Sequence, residues 1–452
     1  SVYIDDYNDN NGRPLNVHRL KFPSTLKYIG DDAFKEGKTL GSSTFGCGSY
    51  SSADNANDWI YTTYDLSLST NLEYVGSNAF GSGKSGSIVK IAENLSNLKT
   101  IGDNAFKNVL LISYDENESL KLPAVESIGS SAFENCTALK AVQLNANSTL
   151  TTIGASAFKA CSAMEDIFIP SSVSSIGSSA FANCSKLTDV ISESSVLAAH
   201  IFENCSSLTN LTLSPSVTII PEYAFYNCSK YADSEQFPNV TSIGDYAFYG
   251  VTFSSFDLKD CTHVGEYAFG GSTVRSVNLS NVDYIGAGAF AACTSLTTLE
   301  IPNTVTNIGI RAFEDCEMLE TVVFDKDLFN EYMFSGCKNL TSVTFNDVPA
   351  ITEIPAYMFN DCESLSSLAV ITPESATLET IGEYAFNNTA FTSISLTKIQ
   401  NTIGEHAFSN MKHLTQVIIN VETISDYMFA GSPTLTTVVI GSNVNNASSV
   451  DA

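Results

Sequence analysis

The chain has 452 residues, with 49 Asp and Glu against 22 Lys and Arg, and a formal net charge of −27. A surface this acidic repels phosphate backbones, which excludes nucleic acid as a partner. Hydrophobic residues make up 44% of the chain, enough for a continuous core, but no apolar run exceeds about five residues. A spanning helix needs roughly 18 to 20, so membrane insertion is not expected.

Residues 1–11 are polar and acidic and do not read as a signal peptide, although a secreted precursor would already have lost one. Residues 1–19 carry no repeat and are expected to form an N-terminal cap or tail. The run Asp5, Asp6, Asn8, Asp9, Asn10 has calcium-loop chemistry, but Gly12 falls one place too late after Asp6 for an EF-hand. A polar cap is the plainer reading, and no metal site is expected.

From residue 20 to residue 440 one string recurs: Ile-Gly-x-x-Ala-Phe. Its Phe occupies 17 positions from Phe34 to Phe429, mostly 21 to 27 residues apart, with one gap of 46. Counting that gap as two steps gives about 23 residues per repeat, the mark of a solenoid. One clean copy reads Leu296, Leu299, Ile301, Pro302, Val305, Ile308, Gly309, Ala312, Phe313. Leu299 and Ile301 sit two apart and share one face of a strand. Pro302 ends that strand because it has no N–H for the ladder. Gly309 permits a tight turn, and Ala312-Phe313 returns the chain to the core. Each repeat is then one coil, too small to bury its own apolar face, and stacking supplies the burial.

Three stretches depart from the pattern. Residues 35–65 form an irregular insertion rich in Gly and Ser, with the chain's one tryptophan, Trp59, beside Tyr50, Tyr61 and Tyr64. Its aromatics are placed either to contact a sugar or protein or to pack on the solenoid flank. Residues 230–237 are a weak coil in which Tyr231 and Ser234 replace leucines. The last coil ends at Val438, Val439 and Ile440, followed by a tail at 441–452 with no obvious polar cap. Val438 and Ile440 are therefore candidates for end-to-end assembly.

Strings such as Ile308-Gly309-Ile310-Arg311-Ala312-Phe313-Glu314-Asp315-Cys316 and Ile176-Gly177-Ser178-Ser179-Ala180-Phe181-Ala182-Asn183-Cys184 resemble the BspA-like leucine-rich-repeat family. With the period, the resemblance sets the expected fold. It is an α/β leucine-rich-repeat solenoid, β-dominated, a right-handed superhelix of roughly 17–18 coils with one parallel strand per repeat of about 23 residues. The resemblance also implies an exported, cell-surface protein that adheres to matrix or to other cells.

Nine of the 11 cysteines sit three residues after the motif Phe, from Cys136 to Cys362. Cys261 takes a core valine position. A ladder of buried thiols is expected. Disulfides between coils are marginal, since they need Cβ atoms within about 4.5 Å on strands about 4.8 Å apart. No C-x₂-C pairs, H-E-x-x-H, G-x-S-x-G or Walker loop occurs. His200, His263 and His406 fall near turns of different coils, and Glu383, Glu405 and Asp426 read as solvent-facing turn charges. Neither catalysis nor a cofactor is expected.

The remaining candidate is the sheet surface. The residue between the two inward positions of each strand points outward, and Phe168, Ile191, Val323, Ile418 and Val439 are apolar there. Exposed apolar residues on a rigid face suit protein contact, although Val and Ile also suit strands for their own sake. The expected partner is a protein or glycan, held by those residues or by Trp59. Self-assembly into a layer or filament is the alternative. The sequence also holds 13 N-x-[ST] sequons, four of them (Asn135, Asn183, Asn204, Asn227) generated by the repeat string itself.

Overall fold

The computed structural model describes residues 3–8, 14–35, 62–81, 88–92, 95–113, 119–144, 148–233, 237–253, 256–346, 351–368, 378–397, 399, 402–441 and 446–447. Trp59, Tyr50, Tyr61, Cys47, Asp9, Asn10 and Ser234 lie outside the described residues, as do the side chains of Asp5, Asp6 and Asn8. Backbone proximity separates two units: Ser1–Val217 with Ala224–Gln236, and Thr218–Tyr223 with Phe237–Ala452.

The clean copy shows how a repeat becomes a coil. Strand Thr298–Ile301 buries Leu299 and Ile301 and turns Thr298 and Glu300 outward. It stops at Pro302, whose carbonyl accepts a turn hydrogen bond from the Val305 N–H at 3.2 Å. A second, two-residue strand, Asn307–Ile308, buries Ile308. Each regular coil thus contributes a long strand and a short one, where the sequence pattern shows only the first. Turns complete the circuit. No α-helix occurs among the described residues, so of the expected α/β class only the β part is present.

In the first unit, Tyr3–Asn8 pairs antiparallel with Pro14–Lys21, which pairs parallel with Thr62–Leu66. Residues 3–8 and 14–21 thus supply the antiparallel pair of strands at the edge of the long-strand sheet. Farther along, Ala141–Gln143, Asp166–Ile169, Asp189–Ser192 and Asn210–Leu213 run parallel in register. The short strands form a six-stranded sheet from Tyr28–Ile29 to Ser175–Ile176. The second unit repeats the scheme. Its short strands include Ile219–Ile220 through Asn307–Ile308, and its long strands include Thr298–Ile301, Thr321–Phe324, Ser342–Phe345 and, later, Ser393–Leu396, Gln416–Ile419 and Thr437–Ile440.

The motif phenylalanines make the core. From Phe34 to Phe225 their rings stack at 5.1–5.7 Å, and from Phe248 to Phe429 at 5.2–6.0 Å. Phe34 stacks directly on Phe80 at 5.3 Å. The 46-residue gap is therefore one step rather than two, which removes one coil from the expected total. Tyr231 fills a leucine position and is fully buried.

The motif glycine has a different cause from the expected tight turn. Gly309 is not in the left-handed region; a Cβ there would lie 2.3 Å from the Ala287 nitrogen of the preceding coil. Close backbone approach excludes every side chain. The left-handed positions lie two residues before and two after the motif Phe, as at Arg311 and Asp315. The position after Phe is mostly Asn, Asp or Gly, the residues that tolerate this geometry best.

Candidate functional site

In the first unit, alternation along Asp166–Ile169 buries Ile167 and Ile169 and turns Asp166 and Phe168 out. Register sets Phe168 beside Ile191 and Ile191 beside Thr212. Ile191 is 49% exposed, and Phe168 is half-buried. Two residues back on the same face, Asp166 lies beside Asp189. Asn210 Nδ2 donates to Asp189 Oδ1 at 2.7 Å. Partial burial, then the charges of Asp189 and Glu165, raise the Asp166 carboxyl above its ordinary range. This face thus carries an apolar pair next to a crowded acidic pair.

In the second unit, Val323 stands between Glu300 and Thr344. Ile418 stands between Ser395 and Val439, and Val439 is 46% exposed. The five outward residues therefore occupy three places rather than one stripe. Val438 and Ile440 hold inward positions on Thr437–Ile440 but are 44% and 57% exposed, whereas their partners Val417 and Ile419 are buried.

The thiols form a ladder of free cysteines. Ten are described, and all are buried. Each motif thiol donates to the carbonyl of the preceding coil's Phe, as Cys136 does to Phe106 at 3.1 Å and Cys316 to Phe290 at 3.2 Å. Burial pushes the Cys184 and Cys228 thiols up to about 12. They act as small apolar residues with one donor each. Among the described residues no group of three or more His, Cys, Asp or Glu side chains could hold a metal ion. No described helix is long and apolar enough to cross a membrane.

Three repeat-generated sequons have their amide nitrogens engaged. Asn135 Nδ2 donates to Asn108, Asn204 to Asn183 and Asn227 to Asn204, at 3.0–3.1 Å. Asn387, a further sequon, is buried and donates to Asn360.

A feature of the second unit escapes the sequence reading. Two residues before the motif Phe, where the first unit has residues such as Asn78, Asn104, Ser131 and Ser156, the second has Tyr223, Tyr246, Tyr267, Tyr332, Tyr357, Tyr384, His406 and Tyr427. All eight have φ between 49° and 58°, a region costing an L residue about 1–2 kcal/mol. Their rings stack in two runs. The first is Tyr223–Tyr246–Tyr267 at 4.9 and 5.1 Å; the second runs from Tyr332 to Tyr427 at 4.4–5.0 Å. Stacking worth about 0.5–1.5 kcal/mol per pair offsets the backbone cost.

Between the runs stand Gly288 and Arg311. A Cβ on Gly288 would lie 2.4 Å from the Tyr267 ring, so the ring rests on bare backbone. The Arg311 guanidinium carbon sits 4.0 Å from the Tyr332 centroid, and Nη1 donates to Glu314 at 2.5 Å. Exposed carboxylates precede most rungs, among them Glu331, Glu383, Glu405 and Asp426. Burial within the stack and a hydrogen bond to Glu383 push the Tyr357 phenol up to about 12. The signal was in the sequence as a recurring acid-Tyr before Ala-Phe or Met-Phe, overshadowed by the more regular Phe.

The profile of the family described as BspA type leucine rich repeat region (6 copies) matches residues 13–122, 113–232, 233–341 and 327–450. Among solved structures, the chain is similar to a leucine-rich repeat protein from Bacteroides ovatus, with 20% identity and a TM-score of 0.56 over 96% of this chain and 97% of that one. A leucine rich cell surface protein from Faecalibacterium prausnitzii is 20% identical over 97% and 94% of the two chains, with a TM-score of 0.33. The pneumococcal vaccine antigen PcpA is 15% identical over 96% and 98%, with a TM-score of 0.36. No curated protein matches the sequence.

Proposed function

Since the chain belongs to the BspA-type leucine-rich-repeat family, we propose that it is a non-enzymatic binding scaffold displayed outside the cell. It holds a protein, or the glycan of one, on the outward face of its long strands. The observation that carries this reading is the pairing of outward apolar side chains, half-buried Phe168 beside exposed Ile191 and half-buried Ile418 beside exposed Val439; in all but the last of these strands the opposite face is buried in the core. A sheet face has no need of such residues for burial, and apolar groups held on a rigid frame bind with little ordering cost.

The test is a panel of immobilised extracellular-matrix proteins and glycans probed with the whole chain. The quadruple variant Phe168→Ser, Ile191→Ser, Val323→Ser, Ile418→Ser loses capture while its melting temperature stays close to that of the parent. Unchanged capture, or loss of the fold, counts against the reading.

A second reading rests on Val438 and Ile440. A further coil stacked on Thr437–Ile440, from this polypeptide or from another copy, would cover them. End-to-end assembly between copies predicts a mass that grows with concentration in light scattering, and weaker growth in Ile440→Asp. A constant mass over a hundredfold concentration range sinks it.

A further inference from the structure

The stacked tyrosines of the second unit form a ridge whose ring faces cover one another from Tyr332 to Tyr427, so no open ring face remains between them. The long-strand face of the first unit is open, and two rows of different chemistry meet on it. Register sets Ala141, Asp166, Asp189 and Asn210 side by side in one row. Phe168, Ile191 and Thr212 form the next, two residues farther along the same strands and about 7 Å away.

The acidic row is uncompensated. Asp189 is held in place, since Asn210 Nδ2 donates to one of its oxygens at 2.7 Å and Thr188 Oγ1 donates to the other. Asp166 has neither a hydrogen bond nor an ion pair among the described residues. Exposed Glu165 precedes it, and no basic residue stands in its row. Like charges directly opposite on a sheet are destabilising, and the raised Asp166 carboxyl has that repulsion among its causes, after its own burial. The other outward apolar residues lack this neighbour. The row beside Ile418 and Val439 holds Gln416 and Thr437, and the row beside Val323 holds Thr298, Thr321 and Ser342, all neutral.

We infer that the face formed by Asp166, Asp189, Phe168 and Ile191 receives an extended polypeptide segment that carries a lysine or arginine two residues from a large apolar side chain. The apolar side chain packs on Phe168 and Ile191, and the cation lies between the two aspartates. Residues two apart on an extended chain share one face at about 7 Å, which matches the separation of the two rows. A neutral glycan would cover the apolar row and leave the carboxylates opposed. The inference rests on the scaffold reading and narrows it to the first unit and to a protein ligand.

The experiment pans a phage-displayed library of random 12-residue peptides on the immobilised whole chain at about 0.15 M salt, where diffuse attraction is screened. Retained clones are then measured as labelled peptides against the parent and three variants. One carries Asp166→Asn and Asp189→Asn, and one carries Phe168→Ser and Ile191→Ser. A control with the same change in charge carries Glu383→Gln and Glu405→Gln in the second unit. Retained sequences are expected to be enriched several-fold in Lys or Arg two places from a large apolar residue. Each long-strand variant should weaken them about tenfold, in line with a lost charge-assisted contact or a lost apolar one, and the control less than about twofold. Equal losses in the aspartate variant and the control overturn the inference and leave only net charge. Clones that need Phe168 and Ile191 but not the aspartates overturn it too, while the scaffold reading stands. A library with no enrichment also overturns it, and the matrix and glycan panel then tests the scaffold reading alone.

Discussion

Replacing Phe290 with alanine removes a fully buried ring that stacks on Phe269 at 5.2 Å and on Phe313 at 5.4 Å, with planes within 3°. A buried Phe→Ala change costs about 3–5 kcal/mol, depending on how far the site collapses. Collapse is blocked here. The Phe269 N–H donates to the Ala289 carbonyl and the Phe290 N–H to the Ala312 carbonyl, both at 2.8 Å, and the substitution keeps both bonds. Coil spacing is set by backbone, so the cavity persists and the cost should lie near the upper end, about 4–5 kcal/mol. Phe429 offers the comparison. It is half-buried, and among the described residues it stacks only on Phe408, at 6.0 Å. Phe429→Ala should cost about 2 kcal/mol, roughly half as much. Urea titration followed by circular dichroism gives the two midpoints. Hydrogen exchange gives the location. Because a coil touches only its neighbours, exchange in Phe290→Ala should rise between about residues 265 and 316 and stay unchanged elsewhere. Equal costs for the two variants, or a uniform rise in exchange, would refute a core built from nearest-neighbour stacking.

Other substitutions test separate parts of the account. Gly309→Ala drives a Cβ to 2.3 Å from backbone nitrogen of the preceding coil and should lower stability by about 3 kcal/mol or more. Gly30→Ala meets no atom within 4 Å and should be neutral or gain up to about 1 kcal/mol; paired urea midpoints read the contrast. The ten buried thiols, held protonated by burial, should not react with Ellman's reagent at pH 8 until the chain is unfolded. Rapid native labelling of more than one of the 11 cysteines would contradict the ladder. For Asp166, a carboxyl raised in the folded state is a cost above that raised value, and the cost disappears as pH falls below the unfolded value. Asp166→Asn should therefore raise the melting temperature at pH 7 and leave it unchanged near about pH 3, as a melting series across pH would show.

The period carried most of the fold. A fully buried rung such as Phe290 accepts one size of side chain, so stacking imposes the same residue on every coil, and the echo is visible without structure. Cys316 is legible for the same reason: a small side chain with one donor fits under the preceding Phe carbonyl. The short strands were harder to see, because Asn307–Ile308 has one buried residue and no room for alternation. Gly309 was assigned the wrong cause, since approach between coils 23 residues apart leaves no local trace. The tyrosine ridge was missed because backbone preference at that position favours residues like Asn104, and only stacking between coils compensates Tyr357 for its conformation. The outward apolar residues were named correctly as outward, but their grouping into pairs depends on register, which places Phe168 beside Ile191 and leaves Val323 between Glu300 and Thr344.

The most direct test of the binding-scaffold claim is hydroxyl-radical footprinting of the whole chain, alone and with the first ligand retained from the matrix and glycan panel. Side chains covered by the ligand lose reactivity. The account predicts protection at Phe168 and Ile191, or at Ile418 and Val439, with the buried Phe stack unchanged. Full reactivity of all four residues in the saturated complex would contradict it and move the binding surface off the long strands.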